Sequence, residues 1–198
     1  KAMSVSSLIS AMRSVRVIAI DPASHSLAWA VLDLEHDGVK IIANGKINLA
    51  KSPEMGNKLI VIKRELKELC NEYKPQVGVI EQSVFIQNFQ SSRILSYIIG
   101  FTWGTLGDYC DIVTDVNPLT WKAGIGYKNI SKAEIKAITE EHGEKGIQKR
   151  LSFERKNRVK MILEKKLPDY DYSLLDSDIT DAIGIGLWYG ISNGFRTV

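Results

Sequence analysis

This chain is short of cysteine, of proline and of long apolar runs. Cys70 and Cys110 are its only cysteines. Neither falls at a spacing that binds metal, and two isolated thiols read as free and buried in a reducing compartment rather than as a disulfide. No apolar stretch is long enough to span a bilayer, so no membrane partner is expected. Residues 1–14 are small and polar and carry no apolar signal segment. They are expected to be disordered or vector-derived, since Lys1 and Ala2 precede the first Met. The expected location is cytoplasmic. Internal repeats and low-complexity segments are also missing. What remains is 198 residues, 44% of them hydrophobic, which suits a single domain over 15–198 with a real core.

Net charge is a modest +3, but it is unevenly spread. Between Lys145 and Lys166 nine Lys or Arg face only Glu154 and Glu164, so this block is strongly basic and the rest of the chain is net acidic. Five Asp and one Arg follow from Leu167 onward. A basic block before an acidic one suits a phosphate-binding arm beside a cation-binding centre.

Pattern places strands at 15–21, 26–34 and 39–49, with Asp37-Gly38 as a hairpin signal. Pro53 opens a helix to about Tyr73, in which Leu59, Ile62, Leu66 and Leu69 recur at helical spacing. Strands at 75–80 and 111–115 flank a helix over 90–107. A helical turn runs from Asn117 through Trp121. Ser131 caps a helix starting at Lys132, with Glu134 at its third position. A basic helix covers 149–166 and a last helix covers 174–192. The order β-β-β-α-β-α-β-α predicts a mixed five-stranded sheet, three strands antiparallel and two parallel. Right-handed crossovers then make the first and fourth strands neighbours.

Four acidic residues stand where solvated surface charges are not expected. Asp21 ends the apolar run Val15-Arg16-Val17-Ile18-Ala19-Ile20, and Glu81 ends Val77-Gly78-Val79-Ile80. Asp178 and Asp181, at i and i+3, share a face of an otherwise apolar helix. Clustered carboxylates repel one another unless hard cations bind between them. The implied chemistry is metal-assisted cleavage of a phosphate ester.

Four segments carry a family resemblance: Ile20-Asp21-Pro22-Ala23-Ser24, Ile80-Glu81-Gln82, Gly124-Ile125-Gly126 and Asp178-Ile179-Thr180-Asp181-Ala182. In this order and at these separations the chain resembles a RuvC-type Holliday junction resolvase of the ribonuclease H-like superfamily, over roughly 15–190. The resemblance implies that Asp21, Glu81, Asp178 and Asp181 bind two Mg²⁺, with Mn²⁺ able to substitute. One ion would activate water and the other would stabilise the leaving 3′ oxygen. It also implies basic catalytic residues near the Gly-Ile-Gly segment, for which Lys122 and Lys132 are the candidates, with Lys128 as a DNA contact. An aromatic after the fourth strand would stack on junction bases: Phe85 or Phe89, beside Asn88. Lys149, Arg150, Arg155, Lys156 and Arg158 would extend the DNA surface.

The chain also departs from the family. Ala23 replaces the usual Gly, and His25 stands where a basic residue is common. The segment at about 140–166 reads as a basic helical insertion like that of virus-encoded or diverged members. The expected function is resolution of four-way DNA junctions by paired symmetric nicks. Paired nicks need a homodimer, with Tyr97, Phe101 and Trp103 of the helix over 90–107 as its candidate interface. The alternatives are a broader branched-DNA or flap endonuclease and a non-catalytic DNA-binding module. An actin-like ATPase is a fourth alternative that the sequence disfavours, because Pro22-Ala23-Ser24-His25 offers no glycine-rich phosphate hairpin.

Overall fold

A computed structural model describes residues 14–51, 54–83, 89–143 and 146–196. Strands β1 (Ser14–Pro22), β2 (Ser26–Glu35) and β3 (Gly38–Asn48) form an antiparallel meander. Helix α1 (Met55–Tyr73) leads to β4 (Val77–Glu81), and α2 (Phe89–Gly107) leads to β5 (Ile112–Val116). Helices α3 (Pro118–Gly124), α4 (Lys132–His142), α5 (Ile147–Lys166) and α6 (Ser177–Ser192) follow. The sheet order is β3-β2-β1-β4-β5, with β1/β4 and β4/β5 parallel. The mixed sheet expected from the sequence is therefore present.

β1 is central, and its β-branched run is buried on both faces, as a strand inside a mixed sheet requires. Successive side chains alternate between the faces. Val15, Val17 and Ala19 join Val77 and Val79 in one core, packed under α3, α5 and α6 through Trp121, Val159, Leu163, Ile183 and Leu187. Ile18, Ile20 and Ile80 face the other way, against Ile62, Leu66 and Cys70 of α1 and Ile98 and Leu106 of α2. Cys70 and Cys110 are buried free thiols, as expected. Each buried Leu, Ile or Val contributes about 1.5–3 kcal/mol, so both layers are held mainly by apolar burial.

Two features fix the sheet against its helices, one at the end where β1 finishes and one over its middle. Lys58 on α1 lies buried and donates from Nζ to the Ser24 carbonyl oxygen at 2.7 Å, pinning the β1–β2 turn. Helix α6 lies close on the sheet because Gly186 has no side chain: a Cβ there would meet Leu32 Cδ1 at 2.5 Å. The roughly 1 kcal/mol that a helical Gly costs against Ala is offset by this approach.

Several element ends differ from the sequence reading. β1 begins at Ser14, inside the stretch expected to be disordered. α5 begins at Ile147 rather than 149. α6 begins at Ser177 rather than 174, because Asp176 is its N-cap and Leu174 is exposed. Ser131 and Glu134 form the expected capping box on α4. Pro53 lies outside the described residues.

Candidate active site

The alternation that builds the core also aims the acids. Val17 and Ala19 of β1 and Val77 and Val79 of β4 face α6, so Asp21 and Glu81, two residues further on, fall on that same side. Ile20 pairs with Ile80 across the parallel β1/β4 ladder, which brings Asp21 and Glu81 to neighbouring strand ends. Opposite them, Asp176 accepts from the Asp178 and Ile179 amides at 3.0 and 3.1 Å. That cap starts α6 so that Asp178 and Asp181 lie in its first turns.

The four carboxylates act on one another. Burial, followed by the charges of Glu81, Asp181 and Asp178, pushes the Asp21 carboxyl up to about 8, with Lys122 opposing. Burial also raises Glu81, against a hydrogen bond from Trp121 and the charge of Lys122. Asp181 is raised by burial and then by Asp178, while Lys122 and Lys156 pull it down. Three carboxyls with proton affinity raised first by burial and then by one another mark a partly buried acidic centre.

Each remaining acid has a protein partner. Lys122 Nζ stands 3.6 Å from Asp181 Oδ2. Lys46 Nζ bridges Asp178 Oδ2 at 2.6 Å and Asp176 Oδ2 at 2.7 Å. Trp121 Nε1 donates to Glu81 Oε2 at 2.5 Å. Drawn toward these partners, the acids do not close into a cage: among the described residues no group of three or more His, Cys, Asp or Glu is gathered tightly enough to hold a metal ion. The donor chemistry nevertheless fits hard divalent cations, being all oxygen, partly buried and short of positive charge.

The other sequence-predicted residues are scattered around this centre. Phe85 and Asn88 lie outside the described residues. Phe89 is exposed at the first residue of α2. Lys128 and Lys132 are exposed, and Lys132 opens α4. Lys149, Arg150, Arg155 and Lys156 are exposed along α5. Arg150 pairs with Glu154 at 3.0 Å. Arg158 is committed within the fold, donating to the Lys128 carbonyl oxygen at 2.9 Å and to Glu134 Oε1 at 2.5 Å, which straps α5 to α4 and to the segment before it. His25 is exposed, and its carbonyl oxygen accepts from the Leu49 amide. Phe101 packs into the core beneath α2, whereas Tyr97 and Trp103 face outward.

Sequence reasoning missed Lys46 and the Trp121 donor. Lys46 sits 132 residues from Asp178 on an outer strand, and only the β2/β3 register brings it there. Lys160 was missed as well. With Phe153, Lys156 and Asn157 of α5 and with Asp176, Ser177 and Thr180 it lines a groove of about 330 Å³ beside the carboxylates.

This sheet, with acids at adjacent strand ends and on the facing helix, defines a ribonuclease H-like nuclease scaffold. Solved structures share its fold. The Thermus thermophilus RuvC in complex with Holliday junction substrate superposes with a TM-score of 0.67 at 12% identity, covering 92% of this chain and 99% of that one. The fowlpox virus resolvase superposes at 0.51 with 20% identity, covering 89% and 97%. The family model described as crossover junction endodeoxyribonuclease RuvC matches residues 17–103. The Rickettsia bellii (strain OSU 85-389) protein of that name is 32% identical over 120 residues, which are 60% of this chain and 76% of that protein. Its Rickettsia prowazekii counterpart is 31% identical over the same shares. The chain belongs to the RuvC family of crossover junction endodeoxyribonucleases.

Proposed function

We propose that this protein is a divalent-metal-dependent endodeoxyribonuclease that resolves four-way DNA junctions by paired nicks. The observation that carries the reading is the convergence of Asp21, Glu81, Asp178 and Asp181 in a partly buried site, where burial first and then the charges of the other three push the Asp21 carboxyl up to about 8. The fold and the names of its relatives agree with it. Those four residues would hold two Mg²⁺, with Mn²⁺ as a substitute. Bound cations would supply the Lewis acidity needed for water to attack the scissile phosphorus and for the 3′ oxygen to leave.

The chain's own residues do the rest. Lys122, beside Asp181, meets the negative charge that develops on the phosphate. Lys156 and Lys160 lead the strand away through the groove toward the exposed Lys149 and Arg155. This basic surface supplies most of the affinity, and that affinity falls steeply with salt. Among the described residues no helix is long and apolar enough to cross a membrane.

Paired nicks need two centres, and α2 offers the surface to join two copies. Tyr97 and Trp103 stand exposed on it, and a Cβ at Gly100 or Gly104 would meet nothing within 4 Å, leaving room for close approach. Tyr97→Glu with Trp103→Glu is expected to give a monomer in sedimentation, one that nicks without resolving.

The decisive experiment incubates the protein in Mg²⁺ with labelled four-way, three-way, flap and linear DNA. Symmetric nicks confined to four-way DNA support the reading. Equal cutting of forks and flaps would make it a broader debranching nuclease. Binding without cutting in Mg²⁺ or Mn²⁺ would make it a binding module only.

A further inference from the structure

We infer that the Trp121 indole is a positioning residue for the Glu81 carboxylate, and that it sets how tightly this centre takes up divalent cations. The inference rests on Glu81 being a cation ligand, as proposed above.

Apolar packing alone does not account for this ring. Trp121 is wholly buried, which Phe or Leu would also satisfy, yet its Nε1–H is spent on Glu81 Oε2 at 2.5 Å, 40 residues away on another element. An indole can only donate, and a carboxylate partly withdrawn from water needs donors, so the two groups answer each other. The ring's seat is built for it. Gly184 lies one helical turn beyond Asp181, and a Cβ there would meet Trp121 Cζ3 at 2.7 Å. On α3 itself, a Cβ at Gly124 would meet Trp188 Cδ1 of α6 at 2.3 Å. Two glycines thus let α3 and α6 close on each other with the indole between them, aimed at the end of β4.

The kind of partner distinguishes Glu81 from its neighbours. Asp178 and Asp181 are met by the ammonium groups of Lys46 and Lys122. An arriving cation must compete with those charges. Glu81 is met by a neutral donor, which takes one lone pair of one oxygen and leaves the rest of the carboxylate available. The indole bond can therefore persist when a cation binds, holding the carboxylate's rotation fixed in advance. The same ring also locates Lys122, whose Nζ lies 4.9 Å from the ring centroid while reaching toward Asp181. One side chain thus orients an acid and a base of the centre without touching substrate.

The test reads the ring directly. Protein labelled with ¹⁵N-tryptophan carries four indoles, and Trp121→Phe identifies which N–H resonance belongs to Trp121. That resonance is expected far downfield. Glu81→Gln, which keeps size and shape, is expected to move it upfield, and substoichiometric Mn²⁺ without DNA is expected to broaden it first among the four. Trp121→Phe is then expected to raise the half-saturating Mn²⁺ or Mg²⁺ concentration 10- to 100-fold, the usual loss when a ligand's hydrogen-bond partner is removed. Junction binding in EDTA should not change. If the Phe variant does not fold, benzothienylalanine at position 121 replaces only the N–H and should give the same shift. A resonance indifferent to Glu81→Gln, or a benzothienylalanine protein that binds Mn²⁺ like the parent, overturns the inference. Normal cutting and metal dependence in Glu81→Gln would instead sink the ligand reading, and this inference with it.

Discussion

The two ends of β1 treat charge in opposite ways. Near its start, Arg16 spreads its guanidinium over Asp33 of β2 with bonds of 2.6 and 2.7 Å and gives a third, at 3.0 Å, to the Tyr73 carbonyl oxygen. One acid meets one base there in a fork geometry that suits both. At its finish, Asp21 joins Glu81, Asp181 and Asp178, against which stand Lys122 and Lys46. The same sheet supports both ends, so the shortage of positive charge is no necessity of the fold. A neutralised pair only holds strands together. An unneutralised cluster stores a demand for cations, and that demand is what a metal-dependent nuclease uses.

The sharpest way to break this contrast is to remove the acid at its centre. Asp21→Asn is expected to lower junction cleavage by well over 100-fold, more than the loss of a ligand's outer partner, while junction binding persists on the basic surface. Gel-shift and single-turnover cleavage measured together check both halves. Cleavage near the parental rate would remove Asp21 from the centre.

The second effect is on stability and pH. With its proton held up to about 8 in the fold, against about 4 when unfolded, Asp21 binds a proton in the native state that the unfolded chain has released. The group is therefore neutral toward stability below pH 4 and destabilises progressively as pH rises toward 8. The slope is at most about 1.4 kcal/mol per pH unit. Glu81 and Asp181, also raised, act with the same sign. In EDTA, urea unfolding is expected to show stability falling from pH 5 to 8 relative to Asp21→Asn, and saturating Mg²⁺ should flatten the difference. Parallel pH profiles for the two proteins in EDTA would contradict the charge excess.

How much of this was legible follows from range along the chain. Asp21 and Glu81 could be read because each closes an apolar run, and a strand's alternation dictates where its last side chain points. Asp178 and Asp181 could be read because i and i+3 share a helix face. Their meeting followed from the β1/β4 pairing, which the crossover rule supplies. Lys46 could not be read. Its position opposite Asp178 depends on the β2/β3 register, which shifts at Val31/Leu32, and no local pattern encodes a bulge. Trp121 was visible only as an apolar residue in a short helix, since the direction of a ring N–H is decided by tertiary packing. The start of α6 was misplaced for a local reason. Leu174 looked like the first helical apolar residue, but Asp171 turns the chain by accepting from the Ser173 amide, and Asp176 makes the cap.

A smaller change sharpens the same contrast from the basic side. Lys46→Met removes the ammonium bridging Asp176 and Asp178, both at least a third exposed. Screening limits such a pair to about 0.2–1 kcal/mol, so the half-saturating Mg²⁺ concentration is expected to fall by no more than about fivefold. Calorimetric titration of the DNA-free protein measures it. Weaker Mg²⁺ binding would mean that Lys46 holds Asp178 in place for the cation rather than competing with it.

The smallest functional effect belongs to the opposite end of the strand. Arg16→Ala leaves Asp33 without its fork and the Tyr73 carbonyl without its donor, and the pair is only partly exposed. The expected result is a loss of about 1 kcal/mol in urea unfolding, with the Mg²⁺ midpoint and the cleavage rate at saturating Mg²⁺ unchanged. The difference between ends is then one of kind: at Arg16 removing charge costs stability and no activity, whereas at Asp21 it costs activity and adds stability. A fall in cleavage with Arg16→Ala, measured on folded protein at saturating Mg²⁺, would show the ends to be coupled through β1, and the division between a holding pair and a cation-seeking cluster would no longer stand.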